Sequence, residues 1–483
     1  MKQNSIAKNI FHLFYSTALS SGLNALALIV LASYLHSYHY GLFSVSLALA
    51  MIMGYFTDAG LSEIALREGS KRDSEVPVVL MSYIKVRTIL LVLTFLFGFL
   101  IIHYLHNGQQ ELLQTSHYLA VPMVTGIALQ SIGTTFFQMI EKMQYIGIIR
   151  MLSAVLLVGT ISAGMLLSLD PLVMCVLYGS SYLLAGVAAL YFVARHVKLK
   201  WSLPFHRGMM KHLGFFTLSG LLFMVLPQLG PIVLEKTLTL EQVGLFAVAY
   251  RIPQALQQIP FIVAGAYRPV LFRHYHQEEL GRHTKEHIML IKIMALFGML
   301  MTIPFYYGSD VVISLLFGLE WMHASHPLKI LSVLLTLQAV NIALADGLTT
   351  RGLQHCRTLI QSIAVLSGIA LYTGLSLSNG ILGAAYAGML IEAVALIGYW
   401  AFFPNRWMLA KKVLFLYLLV FFISLGGVTL FLSEQPYVAA ALHLALMSLF
   451  LLFDRDLSEK AAEKLQFLKK GRTGGKRGIQ DGL

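Results

Sequence analysis

Charge is scarce in this chain: 12% of its 483 residues are Asp, Glu, Lys or Arg, where soluble globular domains carry about 25%. With 57% hydrophobic residues and a mean hydropathy of +0.72, a soluble globular reading is excluded. Cysteine is nearly missing. Cys175 lies within one apolar run and Cys356 near the opposite face of the topology derived below, so no disulfide is expected. The usual marks of an active site are missing as well. There is no glycine-rich phosphate loop, the 17 histidines are scattered, and His274 with His276 is too little for a metal site. Neither a metal nor another cofactor is implied. Acidic residues are the rarer sign, 23 against 35 Lys and Arg, for a net charge of +12.

What is present is a succession of apolar runs. Segments of about 17 to 25 apolar residues are long enough to span a bilayer as helices. They occur at 10–35, 42–61, 88–104, 118–140, 146–169, 171–194 and 213–234. A second set lies at 243–267, 288–307, 328–348, 359–377, 381–403, 413–432 and 437–453. The expected class is therefore an all-α polytopic membrane protein of fourteen transmembrane helices. Basic residues cluster on the cytoplasmic side of such proteins, which tests the count. With the N terminus in the cytoplasm, 32 of the 35 Lys and Arg fall inside, Lys236 and Lys329 fall outside, and Arg251 lies between. Both termini are then cytoplasmic. The positive charge is accounted for by this one-sided distribution facing anionic lipid headgroups, so nucleic-acid binding is not implied. The run at 10–35 is too long for a cleaved signal and reads as an anchor.

One stretch stands out, Val243 to Pro260, which places Arg251 inside a segment otherwise apolar enough to cross a bilayer. Seven residues past Gly244, at a 1.5 Å rise, Arg251 lies about 10 Å into the membrane. Such a charge costs about 2.5–3.5 kcal/mol on insertion scales and is tolerated mainly where it faces a bundle interior or a watery cavity. Gln254, Gln257 and Gln258 follow it, and Pro253 and Pro260 interrupt the helix. A polar, proline-broken helix suits the place where a transporter's cargo passes. The start of this stretch has a counterpart: Gly41-Leu42-Phe43 opens one apolar segment as Gly244-Leu245-Phe246 opens another, at an offset of 203 residues. Upstream, residues 8–22 loosely resemble 211–220. Two halves on one plan are expected.

Tyr40-Gly41-Leu42-Phe43, then Asp58-x-Gly60-Leu61 and Arg67, resemble the opening of the polysaccharide-exporting flippases, the Wzx-type branch of the multidrug/oligosaccharidyl-lipid/polysaccharide exporter superfamily. Phe137-Gln138 with Glu141-Lys142, Val243 to Phe246 with Tyr250-Arg251-Ile252, Leu316-Phe317-Gly318 before Trp321, and Gly383-Ala384-Ala385 leading to Glu392 are similar to further blocks of it. The likeness covers residues 5–450. Where relatives often carry an acidic residue late in the seventh span, this chain has Pro231-Ile232-Val233-Leu234 and then Glu235. The resemblance implies two six-helix lobes, 1–194 and 213–403, forming a V around a central cavity and joined by a basic cytoplasmic linker, 195–212. Two appended helices, 404–453, and a basic cytoplasmic tail, 454–483, complete the chain. It also implies the function: movement of an undecaprenyl-linked oligosaccharide across the bacterial cytoplasmic membrane by alternating access. Membrane lipids, and the glycan polymerase and glycosyltransferases of the same pathway, are the partners to expect.

Such a cargo carries a phosphate or diphosphate, for which a guanidinium is suited because its fork holds two oxygens at once. Arg251 with Gln254 is the first candidate to bind it; a structural salt bridge from Arg251 to Glu392 is the alternative. Arg67 is favoured by the family motif, or caps its own helix. Lys85 and Arg87 lie at the cytoplasmic foot of the third span, where a headgroup would enter, or snorkel to the leaflet surface. Asn24 in the first span faces a cavity or bonds a neighbouring helix. Gln228 sits between Pro227 and Gly230-Pro231 in the seventh span, which is expected to be kinked or unwound, as a hinge or a static bend. Asp58, Asp346 and Glu392 are the acids available for a coupling ion. The two aspartates lie near cytoplasmic span ends and suit local bridges, whereas Glu392 is deeper and is the candidate for proton coupling. The linker, with Trp201 and Phe205, is expected to form an interfacial helix. Residues 311–319 are apolar but too short to cross. The runner-up function is a cation-coupled multidrug extruder of the sister branch, and a non-transporting assembly scaffold is a more distant third. The enzymatic alternative, a glycan polymerase, would be expected to show a larger basic outer loop.

Overall fold

The computed structural model describes residues 3–71, 74–210, 213–454 and 456–458; Arg72, Lys211 and most of the expected basic tail, 454–483, lie outside them. In chain order the helices are α1 (Gln3–Phe56), α2 (Leu61–Gly69), α3 (Val76–Leu105), α4 (Gln110–Met139), α5 (Met143–Leu166), α6 (Pro171–His196), α7 (Leu213–Val225), α8 (Leu229–Leu234) and α9 (Leu240–Leu256). They continue with α10 (Gln258–His276), α11 (Leu280–Tyr307), α12 (Ser309–Leu316), α13 (Ser325–Leu331), α14 (Leu334–Thr350), α15 (Gln354–Phe402), α16 (Arg406–Leu409), α17 (Val420–Phe431) and α18 (Pro436–Phe453). A π-helix, Ala410–Leu419, joins α16 to α17.

Among the described residues, eight helices are long and apolar enough to cross a membrane, nine if Leu319–Leu331 and Leu334–Thr350 form one broken span. Two are double length. At 54 and 49 residues, α1 and α15 would run about 75–80 Å at 1.5 Å per residue, far beyond a hydrocarbon core of about 30 Å. Each is broken near its middle. His36 takes φ 55° in α1 and Gly380 takes φ 58° in α15, so each joins two runs through a one-residue break where the sequence pattern predicts a short loop.

Other helices outrun their apolar runs. The third run, 88–104, becomes α3 from Val76, which carries Lys85 and Arg87 inside the helix. The run at 243–267 becomes two helices, α9 and α10, parted at Gln257. Pro253 lacks the N–H that would bond the Ala249 carbonyl. The break foreseen around Pro227 takes the form of a 3-10 turn, Leu226–Gln228, between α7 and α8. The expected interfacial helix in the linker is confined to a 3-10 turn at Arg207–Met210. Upstream of it the backbone is tied to α3 instead: Lys85 Nζ donates to the Leu203 carbonyl at 2.9 Å, and the His206 N–H donates to Ser82 Oγ at 2.8 Å.

The chain forms two compact units. The first holds Met1–Gln258, Ile313–Pro327 and Gln361–Ile391. Small residues set its closest helix approaches, as usual in membranes, where apolar burial between helices supplies little drive. Gly126 of α4 meets the backbone of Tyr182 and Leu183 in α6. The repeated glycines meet each other. A Cβ on Gly41 would overlap the Leu240 carbonyl, and a Cβ on Gly244 would overlap the Ser37 carbonyl. Ser37 and Leu240 stand 203 residues apart, as do Gly41 and Gly244, so the contact is reciprocal: each repeat offers its glycine to the same carbonyl of the other.

The second unit holds Ile259–Val312, Leu328–Ile360 and Glu392–Leu483. Polar pegs join α11 to α14: His283 Nε2 with Thr350 Oγ1 at 3.0 Å, His287 Nε2 with the Ala343 carbonyl at 2.8 Å, and Thr302 Oγ1 with Thr336 Oγ1 at 2.8 Å. Lys292 of α11 reaches Asp454 at 2.8 Å and Asp456 at 2.7 Å, tying the residues after α18 to it.

Candidate functional site

The segment bearing Arg251 begins at a well-made helix start. Thr239 Oγ1 accepts from the Gln242 N–H, and the Gln242 side chain accepts from the Thr239 N–H, both at 3.4 Å. This capping box satisfies two of the helix's unpaired donors. Three turns on, Arg251 is half-buried, and its Nη1 donates to Gln254 Oε1 at 2.7 Å. The spacing of three puts both side chains on one helix face.

Three tyrosines, Tyr40, Tyr178 and Tyr182, lie within electrostatic range of Arg251. Their rings form one cluster: Tyr40 and Phe43 lie 5.7 Å apart, Phe43 meets Tyr178 edge-on at 4.9 Å, and Tyr178 and Tyr182 lie 5.7 Å apart. Gln130 holds this wall by donating to the Tyr182 carbonyl at 2.9 Å. A half-buried guanidinium can hold an anionic group; Tyr40 and Tyr178 beside it are buried, and Tyr182 is half-buried. In the same unit Gln228 is 7% exposed within its 3-10 turn, and Asn24 is half-buried in the first half of α1.

The other proposed cations are engaged differently. Arg87 is 2% exposed and pairs with Asp58, which also accepts from Tyr83 Oη at 2.8 Å and Ser62 Oγ at 2.6 Å. Lys85 is committed to Leu203 and lies 5.7 Å from the Trp201 ring centroid. Arg67 is exposed and lies 3.6 Å from Glu68, which is buried and also holds Lys71 and His206. Buried Arg87 thus pairs with half-buried Asp58, and Lys85 and Glu68 clasp the linker.

That pair carries a prediction. Removing one partner of a buried ion pair strands the other, at a cost of about 3–5 kcal/mol. Arg87→Met is therefore expected to destabilise the purified protein by about that amount, and adding Asp58→Asn should restore part of it. Thermal unfolding of the singles and the double tests this. A double variant whose loss equals the sum of the two singles would mean that the charges do not support each other.

In the second unit, Glu392 is held by two amides of α14. Gln338 donates to its Oε1 at 3.0 Å, and Asn341 donates to its Oε2 at 2.7 Å and to its backbone carbonyl at 3.0 Å. Asp346 takes a two-pronged contact from Arg268, at 2.9 to 3.2 Å, with Arg357 at 3.9 Å. The sequence reading does not single out Gln338, Asn341, Tyr178 or Tyr182, and it names Tyr40 only as part of the Tyr40-Gly41-Leu42-Phe43 motif. Gln338 and Asn341 are within its reach, being two polar residues three apart in an apolar run. Tyr178 and Tyr182 are not, because 22 tyrosines are spread along the chain and nothing local distinguishes these two.

Residues 6–275 match the sequence profile of a family described as polysaccharide biosynthesis protein. Among solved structures, one described as "Lipid II flippase MurJ, inward closed conformation" is similar over 92% of this chain and 99% of its own, with a TM-score of 0.68 and 14% identity. An inward-facing multidrug resistance MATE family transporter of the MOP superfamily is similar over 81% of this chain and 95% of its own, with a TM-score of 0.67 and 16% identity. A MOP superfamily transporter from Pyrococcus furiosus Vc1, described as having a binding pocket of reverse polarity, aligns over 84% of this chain and 96% of its own, with a TM-score of 0.59 and 17% identity. A search of curated proteins finds no match. At these identities the likenesses establish the fold alone, the one that these structures share.

Proposed function

Starting from a chain that belongs to the polysaccharide biosynthesis protein family, we propose that it is a flippase. It carries a polyprenyl-(di)phosphate-linked oligosaccharide or repeat unit across the bacterial cytoplasmic membrane by alternating access, for cell-surface polysaccharide biosynthesis. The observation that carries this reading is Arg251: a guanidinium in a segment that the sequence leads one to expect in the membrane, steadied by Gln254 and near three tyrosines. Its fork suits a phosphate or diphosphate. The fourteen-span, two-lobe arrangement with both termini in the cytoplasm belongs to the same reading. The breaks at His36 and Gly380 support it, since each turns one long helix into two crossings. Gln228 and Asn24 are further lining candidates, and Glu392, among amides rather than cations, is the candidate for a coupling proton. The undecaprenyl-linked glycan would come from glycosyltransferases and pass to a polymerase of the same pathway.

A multidrug extruder is the second reading, because a MATE transporter has a similar fold. A cationic lining opposes the passage of cationic drugs, which favours the lipid-linked cargo. Proteoliposomes separate the two. Protein-dependent arrival of a polyprenyl-diphosphate oligosaccharide in the outer leaflet, read by a membrane-impermeant glycan probe, is the expected result. Drug efflux without lipid movement would transfer the function to the extruder.

A further inference from the structure

A cleft of about 670 Å³ in the second unit lies among the start of α11, the turn after α14 and the segment 404–412. Three cations line it: Lys285, Arg351 and Lys412. Arg351 is locked in place. Its Nη2 donates to Thr284 Oγ1 at 2.8 Å, its Nε donates to His283 Nδ1 at 3.3 Å, and its guanidinium lies 4.9 Å from the Phe403 ring centroid. Lys285 and Lys412 are exposed, and neither has a carboxylate partner within 4.0 Å among the described residues. The acid lining the cleft, Asp456, is already paired with Lys292 at 2.7 Å. The cleft therefore presents unspent positive charge.

Its location says which anion would arrive. The segments that line it belong to the basic side of the chain, so they face the cytoplasmic leaflet. Leu280 in its lining is 53% exposed, and Trp407, next in the chain to the lining residue Met408, is 58% exposed. Trp400 meets Trp407 edge-on at 5.4 Å and anchors its own indole N–H on the Arg406 carbonyl at 3.0 Å. Paired tryptophans beside basic residues mark the headgroup level of a bilayer. A second cleft of about 650 Å³, lined by Arg406 and Trp407, shares Asn405 and Met408 with the first. The site is thus continuous with a surface suited to lipid.

The π-helix also serves this arrangement. At 100° per residue, an α-helix would turn Lys412 and Tyr417 about 140° apart, whereas i→i+5 winding brings residues five apart close to one face. In this register Lys412 lines the cleft while the Tyr417 hydroxyl donates to Asp454 at 2.7 Å, next to the Lys292 anchor. The same winding that fastens the end of α18 therefore aims a lysine into the cleft.

We propose that Lys285, Arg351 and Lys412 form a binding site for the phosphate of an anionic phospholipid headgroup in the cytoplasmic leaflet, distinct from the Arg251 site and independent of what that site carries. Basic pockets between transmembrane helices on the cytoplasmic side suit such headgroups.

The test is thermal unfolding of the purified full chain in detergent during titration with dioctanoyl phosphatidylglycerol. The midpoint is expected to rise and saturate, with no response to dioctanoyl phosphatidylcholine or to inorganic phosphate. Each surface lysine contributes about fivefold in affinity for anionic lipid, so the half-saturating concentration should increase by about 25-fold in Lys285→Gln/Lys412→Gln. Lys285→Arg/Lys412→Arg should keep the response. The single variants give the same comparison if the double is poorly folded. An equal response to phosphatidylcholine, an unchanged titration in the Gln variants, or an equal effect of inorganic phosphate would overturn the proposal.

Discussion

Arg251→Ala is expected to lower transbilayer movement of a polyprenyl-diphosphate oligosaccharide in proteoliposomes by about 10- to 100-fold at unchanged protein level. A hydrogen bond to a charged group contributes about 1.5–3 kcal/mol, and each 1.4 kcal/mol is a factor of ten. Arg251→Lys should fall between, because an ammonium keeps the charge but not the two-pronged fork. Gln254 sharpens the expectation. Its Oε1, 2.7 Å from Arg251 Nη1, orients the guanidinium, so Gln254→Ala should weaken transport less than Arg251→Ala does. Equal transport by the wild type, Arg251→Ala and Arg251→Lys would leave a flippase without Arg251 as its phosphate contact.

Gly41→Ala and Gly244→Ala are each expected to destabilise the protein by about 1–3 kcal/mol, the range for forcing extra methyl groups into a packed interior. Here the obstruction is a backbone carbonyl, Leu240 for one and Ser37 for the other, and backbone cannot rotate aside as a side chain can. The helices must separate. Once they have separated for one methyl, the second finds room, so the double variant should lose clearly less than the sum of the singles. Thermal midpoints of the three variants decide this. Strict additivity would mean that the two glycines do not share one crossing, and would remove the structural meaning of the repeat at this point.

The reciprocity of that crossing shows how far local pattern reaches. The recurrence of Gly-Leu-Phe after 203 residues is readable in the chain. That the two glycines abut is not, because recurrence says the segments share a conformation without saying that they touch. The same limit applies to the charges. From their positions, Arg87 and Arg251 both read as cations placed to meet a headgroup. Folding gives Arg87 a carboxylate 29 residues away, and gives Arg251 an amide three residues away and a tyrosine from the other repeat, Tyr40, within electrostatic range.

Membrane residence, the position of the apolar segments and their expected sidedness follow from the chain's own composition. Each is a sum of transfer terms over some 20 neighbouring residues, and such sums need no knowledge of what packs against them. Which charges are neutralised, which helices run on past their apolar stretch and where a long helix breaks in two were settled by packing. Asp58 waits for Arg87 and Glu392 for an asparagine 51 residues away, and at the break His36 takes a positive φ with its ring 3.0 Å from Glu320, 284 residues on. These depend on groups brought together from distant points of the chain, or on a single residue's conformation, and neither leaves a periodic mark in the order of amino acids.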